Sequence, residues 1–173
     1  MFEETEVAGE SKNLAQVGAP VMQACRSVSF IELRNTLPSH IDIISPVVDQ
    51  LMCFISRYRV TDEDNFEIEL ALREALANAI VHGNCQDPHK RVYLRCRCTT
   101  DGEVSITVSD EGHGFNPDEI PSPIAADNLL RTHGRGIYLI RTLMDEVDFQ
   151  QGGSVIHMCK RANAGSDTSR KSQ

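Results

Sequence analysis

An acid and an amide lie one helical turn apart in the segment ELALREALANAIVHGN, residues 69–84. Glu74 and Asn78 are four residues apart, so a helix places both side chains on one face. Asparagine is a poor residue for a helix interior, and the alanines around the pair let a ligand come close. An amide oxygen can bind Mg²⁺, and a carboxylate can orient or deprotonate a nucleophile. The pattern predicts a metal-phosphate centre, with a solvated acid and amide on a surface helix as the alternative.

A carboxylate followed by two glycines forms the second motif, DEGHGF, at residues 110–115. Asp110 ends an alternating strand pattern, and Gly112 and Gly114 leave the backbone beside it unhindered. A buried carboxylate here can accept a hydrogen bond from the exocyclic amine of adenine, whereas guanine presents a carbonyl oxygen. Because unpaired polar groups cost about 1–3 kcal/mol, the motif indicates an adenine site. An ordinary Asp-Gly turn is the alternative.

A glycine pair directly before a helical pattern forms the third motif, HGRGIYLI, at residues 133–140. The free amides of a helix N-terminus bind phosphate, and Gly134 and Gly136 leave them accessible. Arg131 and Arg135 flank the glycines and can contact phosphate oxygens, or they are ordinary surface arginines. The motif is not G-x-G-x-x-G and has no Walker lysine after it, which excludes the Rossmann and P-loop folds.

The elements that must position these motifs follow from periodicity. Alternation predicts strands and a 3.6-residue period predicts helices, while Pro38, Gly83-Asn84, Asp101-Gly102 and Gly152-Gly153 mark ends and turns. Helices on one face of a mainly antiparallel sheet satisfy this order, so we predict the α+β class. The predicted elements are a strand at 27–37, helices at 40–58 and 62–82, a hairpin at 92–108, a helix at 136–144 and a hairpin at 147–160.

Length and charge restrict the remaining possibilities. The 173 residues suit a single domain, which we place at 27–161 between a flexible leader, 1–26, and a disordered tail, 162–173. A net charge of −8 argues against nucleic acid or an anionic membrane as the main partner. No run of apolar residues reaches the length of a membrane span, and the polar N-terminus is no secretory signal. We therefore expect a cytoplasmic protein.

The six cysteines contain no C-x-x-C pair. We therefore expect them to be reduced and mostly buried. Cys85 lies near His82 and His89, but four ligands at the spacing of a zinc finger are missing. An ordinary loop is the preferred interpretation of this segment.

Taken in order, the three motifs resemble the GHKL (Bergerat-type) ATP-binding fold of gyrase-type ATPases, heat-shock-90 chaperones, mismatch-repair ATPases and sensor histidine kinases. The segments EALANAIVHGN, DEGHGF and GRGIYLIRTLMDEV are most similar to the anti-sigma-factor serine kinases of bacterial stress and sporulation control. The resemblance spans about Phe30 to Arg161. It implies a single-layer, mixed but mainly antiparallel sheet with helices on one face.

The resemblance also implies a role for each candidate residue. Glu74 would be the general base, Asn78 the Mg²⁺ ligand and Asp110 the acceptor for the adenine amine. The stretch Asn116–His133 would form the ATP lid. Ser154 stands where the family often has threonine near adenine. The remaining implied ATP-binding residues are Gly112 and Gly114 at the base, Gly134 and Gly136 at the phosphates, Arg135 beside them, and Arg131 as the lid arginine.

The implied activity is an ATP- and Mg²⁺-dependent serine/threonine protein kinase. Its substrate would be an anti-anti-sigma protein of the STAS type, with sequestration of a sigma factor as a further role and a homodimer as the expected assembly. Two alternatives stay open: an ATP-binding switch that acts without phosphotransfer, and a trans-acting histidine kinase catalytic domain. The second would need a helical hairpin with a phosphoacceptor histidine, and about 25 residues before the first strand are too few for one.

Overall fold

The computed structural model describes residues 23–26, 30–58, 62–114 and 135–161, with backbone alone for 23–26 and 62–64. A single turn of 3₁₀-helix, Ile41–Ile43, leads into the first α-helix. None of the helices in these ranges is long and apolar enough to span a bilayer. The elements in chain order are β1 (Gln23–Arg26), β2 (Phe30–Pro38), α1 (Ile44–Ile55), α2 (Asp62–Ala77), β3 (Arg91–Thr99), β4 (Val104–Asp110), α3 (Arg135–Leu143), β5 (Glu146–Gln150) and β6 (Val155–Lys160).

The strands form one sheet in the order β1-β2-β3-β4-β6-β5. Each pairing between these strands is antiparallel. The predicted hairpin is present as β3 and β4, and the Gly102 N–H donates to the Thr99 carbonyl at 3.1 Å in its turn. Because β4 lies inside the sheet between β3 and β6, its last residue, Asp110, is surrounded by other elements.

The helices cover one face of the sheet. Side chains of β3 alternate between exposed and buried along the strand, as a half-buried strand requires. The side chains that point towards the helices form one continuous hydrophobic core with them. Fully buried members of this core include Leu37, Leu51, Ile55, Ile68, Leu72, Leu76, Ile80, Leu94, Ile106, Ile140 and Met158. This architecture confirms the predicted α+β class and the helices on one face.

Two details differ from the sequence predictions. The stretch predicted as a leader contains β1, which pairs with β2 from Gln23–Arg34 to Arg26–Ile31. The resemblance implied a mixed sheet, whereas every pairing among the described strands is antiparallel. A four-residue strand carries too little periodicity to be seen in the sequence, and its partner strand supplies its hydrogen bonds.

Asn35 is a polar residue on the core side of β2. It is 5% exposed, and its amide nitrogen and oxygen both lack a hydrogen-bond partner within the described part of the chain. Its neighbours on that side of the strand are Leu33 and Leu37, both buried. A buried amide without partners destabilises the fold, because it has lost its hydrogen bonds to water.

Replacing Asn35 with leucine is therefore expected to raise the free energy of unfolding by about 1–2 kcal/mol. Denaturant titration followed by circular dichroism measures this change. The matched control is Thr36→Val at the neighbouring, exposed position of β2, which should change stability by less than about 0.5 kcal/mol. A loss of stability in Asn35→Leu would contradict the prediction.

Candidate functional site

The helix that carries the acid and the amide changes its winding at Asn78. The sequence predicts one helix as far as His82, but the α-helix ends at Ala77 and a turn of π-helix covers Asn78–Gly83. The Asn84 N–H closes this wide turn by donating to the Ala79 carbonyl at 2.8 Å. Such turns are rare and are frequent at functional sites. Here the wide turn directs Gly83 towards the end of β4.

The start of α3 faces Glu74 and Asn78. A Cβ added to Gly136 would lie 2.6 Å from Oε2 of Glu74 and 3.3 Å from Nδ2 of Asn78. The first and third motifs therefore meet, and a side chain at position 136 would require the end of the Glu74 side chain to move. Glu74 and Asn78 are both partly exposed. The space that a side chain at position 136 would fill is thus lined by the Glu74 carboxylate, the Asn78 amide and the backbone of Gly136.

This set of groups fits Mg²⁺ together with phosphate. Mg²⁺ is held by one or two protein oxygens, water and substrate phosphates rather than by a complete protein cage. The Asn78 amide supplies such an oxygen, and Gly136 leaves space beside it. Among the described residues there is no group of three or more His, Cys, Asp or Glu side chains that could hold a metal ion. The Asn78 amide is thus the group beside this space that could contribute one oxygen to a bound Mg²⁺.

Asp110 lies at the end of β4 and touches the first motif through Gly83. A Cβ on Gly83 would overlap the Asp110 carboxyl group. The Gly112 N–H donates to Oδ1 of Asp110 at 2.8 Å. Burial raises the pKa of Asp110, although the Gly112 N–H and the charge of Lys90 act in the opposite direction. A half-buried carboxylate with one oxygen already bonded suits recognition of a single amine.

Gly112 and Ser154 contact Asp110, and Gly114 packs against Gly152 and Ser154. A Cβ on Gly112 would overlap the Gly83 carbonyl oxygen, and one on Gly114 would overlap the Gly152 carbonyl. Gly114 has φ +73°, which other residues rarely adopt. The Ser154 carbonyl accepts from the Asp110 N–H at 3.0 Å, while its hydroxyl donates to the Gln151 carbonyl at 3.0 Å. The second motif and Ser154 are therefore brought together.

Not all predicted site residues lie in the described ranges. Arg131, Gly134 and the predicted lid Asn116–His133 lie outside them. Arg135 is the first residue of α3 and is exposed. The helix predicted at 136–144 is present as Arg135–Leu143, with ends that differ by one residue.

Two residues that hold the site together were not predicted. Asn84 was interpreted only as the end of a helix, yet its side chain is fully buried between β3 and β4. Glu111 was part of the second motif without a role. Its carboxylate accepts from the Tyr93 hydroxyl at 2.6 Å and the Arg91 N–H at 2.9 Å. Both bonds lower the pKa of Glu111, and the hydrogen bond from Tyr93 has the larger effect. The polar side of β3 carries Tyr93, but its partner is visible only in the fold.

The cysteines follow the prediction in part. Five are described, and all are free thiols; Cys96, Cys98 and Cys159 are buried, while Cys53 and Cys85 are exposed. The Cys85 thiol donates to the His82 carbonyl, with the sulfur 3.7 Å from the oxygen. Cys85 and Gln86 both have positive φ, at 55° and 57°, a region that residues other than glycine rarely adopt.

The fold and the site define a nucleotide-binding α+β domain. In it, Glu74 and Asn78 face Gly136, and Asp110 at the end of β4 lies against Gly83 and Gly112. The chain matches the histidine kinase-like ATPase domain over residues 37–160. It belongs to this family, which confirms the resemblance seen in the three motifs and makes ATP the expected nucleotide.

Individual relatives agree with this assignment. An anti-sigma F factor of Oceanobacillus iheyensis is 33% identical over 113 residues, which cover 62% of this chain and 77% of the relative. The serine-protein kinase RsbW of Staphylococcus epidermidis is 29% identical over 138 residues, or 76% of this chain and 86% of the relative. An anti-sigma F factor of Bacillus cytotoxicus is 34% identical over 112 residues, with 62% and 76% covered.

Proposed function

We propose that this chain is an ATP- and Mg²⁺-dependent serine/threonine protein kinase that phosphorylates a STAS-type anti-anti-sigma protein. The observation that carries the proposal is the meeting of Glu74 and Asn78 with Gly136. Relatives named serine-protein kinase and anti-sigma factor support the reaction and the regulatory role. The proposal includes binding of a sigma factor, a homodimeric assembly and a location in the cytoplasm.

The residues divide the work of phosphate transfer between them. Asp110 accepts a hydrogen bond from the adenine amine, and the backbone of Gly112 and Gly114 forms the surface against the base. Gly136 lets the phosphates approach the start of α3, where amides favour negative charge. Asn78 would hold Mg²⁺, which supplies neutralisation of phosphate charge when it is bound. Glu74 accepts the proton of the substrate hydroxyl.

Because the chain is negatively charged, its binding of phosphate must depend on groups within the site. With 25 acidic and 17 basic residues, the protein repels anions at long range. Backbone amides, a cation and at most the two arginines Arg131 and Arg135 would therefore supply the attraction for a triphosphate. Phosphate transfer is consequently expected to depend strongly on divalent cation.

The direct test is to incubate the chain with Mg-ATP and candidate STAS-domain proteins. The expected product is a partner phosphorylated on serine or threonine, which mass spectrometry locates and which survives acid. An acid-labile phosphohistidine on the chain would instead favour the histidine kinase alternative. ATP binding without transfer to any STAS partner would favour the switch.

Gly136→Ala tests the close approach between α3 and α2. The new methyl group would stand 2.6 Å from Oε2 of Glu74, so the acid or the helix must move. We expect phosphate transfer to fall at least about tenfold, because displacement of a catalytic group by about 1 Å costs up to 100-fold. The control is Thr142→Ala at the exposed far end of α3, and initial rates of partner phosphorylation are compared. An unchanged rate in Gly136→Ala would contradict the arrangement.

A further inference from the structure

Asn84 joins three elements that meet at the proposed adenine site. Its side chain is 0% exposed. Its Oδ1 accepts from the Glu111 N–H at 2.9 Å, and its Nδ2 donates to the Arg91 carbonyl at 2.9 Å. Its own N–H closes the π-turn at Ala79. Through its backbone and its side chain, Asn84 thus links the π-turn to the start of β3 and to Glu111, the residue after β4.

The backbone on both sides of Asp110 is fixed. Before the carboxylate, the Asp110 N–H donates to the Ser154 carbonyl of the neighbouring segment at 3.0 Å. After it, the Glu111 N–H is held by Asn84, and the Glu111 carboxylate is held by Tyr93 and Arg91. Among these bonds, the one from the Glu111 N–H to Asn84 connects this segment to the π-turn. It therefore sets the distance between Asp110 and the π-turn.

The π-turn also forms one wall of the site. Gly83, next to Asn84 in the chain, lies so close to the Asp110 carboxyl group that no Cβ fits between them. A change at Asn84 therefore moves the wall and the acid relative to each other. Without Asn84, the Glu111 N–H and the Arg91 carbonyl must find other partners, which requires the strand ends to shift.

We propose that Asn84 is a positioning residue for adenine selectivity, which acts by holding Asp110 and Gly83 in register. This inference rests on the proposed ATP site, because it assigns Asp110 to the adenine amine. It differs from a purely structural role in one respect. Loss of Asn84 should weaken recognition of the 6-amino group more than it weakens recognition of the triphosphate, which lies at Glu74, Asn78 and Gly136.

The test compares binding of Mg-ATP with that of Mg-purine riboside triphosphate, which lacks the 6-amino group, by titration calorimetry on the full chain. We expect the wild type to bind ATP about tenfold more tightly than the analogue. In Asn84→Leu, which removes both hydrogen bonds, ATP affinity should fall about tenfold while analogue affinity changes by less than about threefold. The preference for ATP should therefore nearly disappear.

Asn84→Ala provides a second variant should leucine not be accommodated, and thermal melting checks that each variant is folded. The matched control is Asp87→Ala in the same loop, whose carboxylate accepts the His89 N–H. It should keep the wild-type preference. An Asn84 variant that keeps the tenfold preference for ATP would overturn the inference. So would a variant whose affinities for ATP and for the analogue fall by the same factor. A wild type without any preference would instead refute the role of Asp110, and the inference with it.

Discussion

Replacement of Glu74 by glutamine is expected to reduce phosphate transfer by roughly 100- to 10,000-fold, the usual contribution of a general base. Glutamine keeps the size and shape of the side chain but cannot accept the hydroxyl proton. Gly136 still fits against it, so the site should stay assembled. ATP affinity should remain within about threefold of the wild type, because the role proposed for the carboxylate is on the substrate hydroxyl rather than on the nucleotide.

Single-turnover phosphorylation of the partner measures the first effect, and calorimetry with Mg-ATP measures the second. The matched control is Glu69→Gln, on the same helix, where the carboxylate pairs with Arg73 at 3.0 Å. A partly exposed pair of this kind is worth about 1 kcal/mol or less, so the rate of this variant should stay close to that of the wild type. Transfer at the wild-type rate in Glu74→Gln would remove Glu74 from the mechanism.

Asp110→Asn is expected to weaken ATP binding by about 10- to 100-fold. Because Oδ1 already accepts the Gly112 N–H at 2.8 Å, the new NH₂ group takes the place of Oδ2. It then faces the adenine amine as donor against donor. Equal affinity for ATP in the variant and the wild type would count against the adenine assignment. The control is Asp148→Asn, an exposed position on β5.

The same substitution should stabilise the protein when no nucleotide is bound. Burial raises the pKa of Asp110 in the folded state, so the fold binds this proton more tightly than the unfolded chain does. That stabilising contribution is present in full below the unfolded pKa and is lost as the pH rises through the folded pKa. At neutral pH the charged group therefore opposes folding, and Asp110→Asn should raise the melting temperature of the nucleotide-free protein.

ATP binding should show the opposite dependence on pH. The adenine amine needs the ionised carboxylate, so affinity should fall as the pH decreases through the raised pKa of Asp110. Asp110→Asn should lack this part of the pH dependence. Calorimetry from pH 7 downwards measures both proteins, and a parallel loss of affinity in wild type and variant would assign the effect to another group.

The sequence was most informative where one period or one turn residue dominates. The alternation of Val92, Leu94 and Cys96 gave the correct face of β3, because a half-buried strand needs that pattern. Glu74 of α2 and Asn78 at the start of the π-turn could be placed on one face from their spacing alone. Their proximity to Gly136 could not be derived in this way, since it depends on how α3 packs against α2.

Other parts of the site had no local signal. Gly83-Asn84 indicated an ordinary helix end, whereas the structure has a π-turn there. The turn is wide because the Asn84 N–H donates to the Ala79 carbonyl. Asn84 looks like an ordinary helix-ending residue until β3 and β4 are in place. The strand β1 becomes visible only when β2 offers it an edge. The contacts of Asn84 with β3 and β4 join separate elements, and β1 is too short to show a period.

The close packing of Gly83, Gly112 and Gly114 has a consequence for inhibitor design. At each of these glycines an added Cβ would overlap a neighbouring group, so the surface beside Asp110 consists of backbone rather than side chains. A competitive inhibitor that rests on this surface would contact backbone atoms, and a substitution at Gly83 or Gly112 would crowd the Asp110 carboxyl group. On the proposed assignment of this surface to adenine, a resistance substitution here would also weaken the binding of ATP.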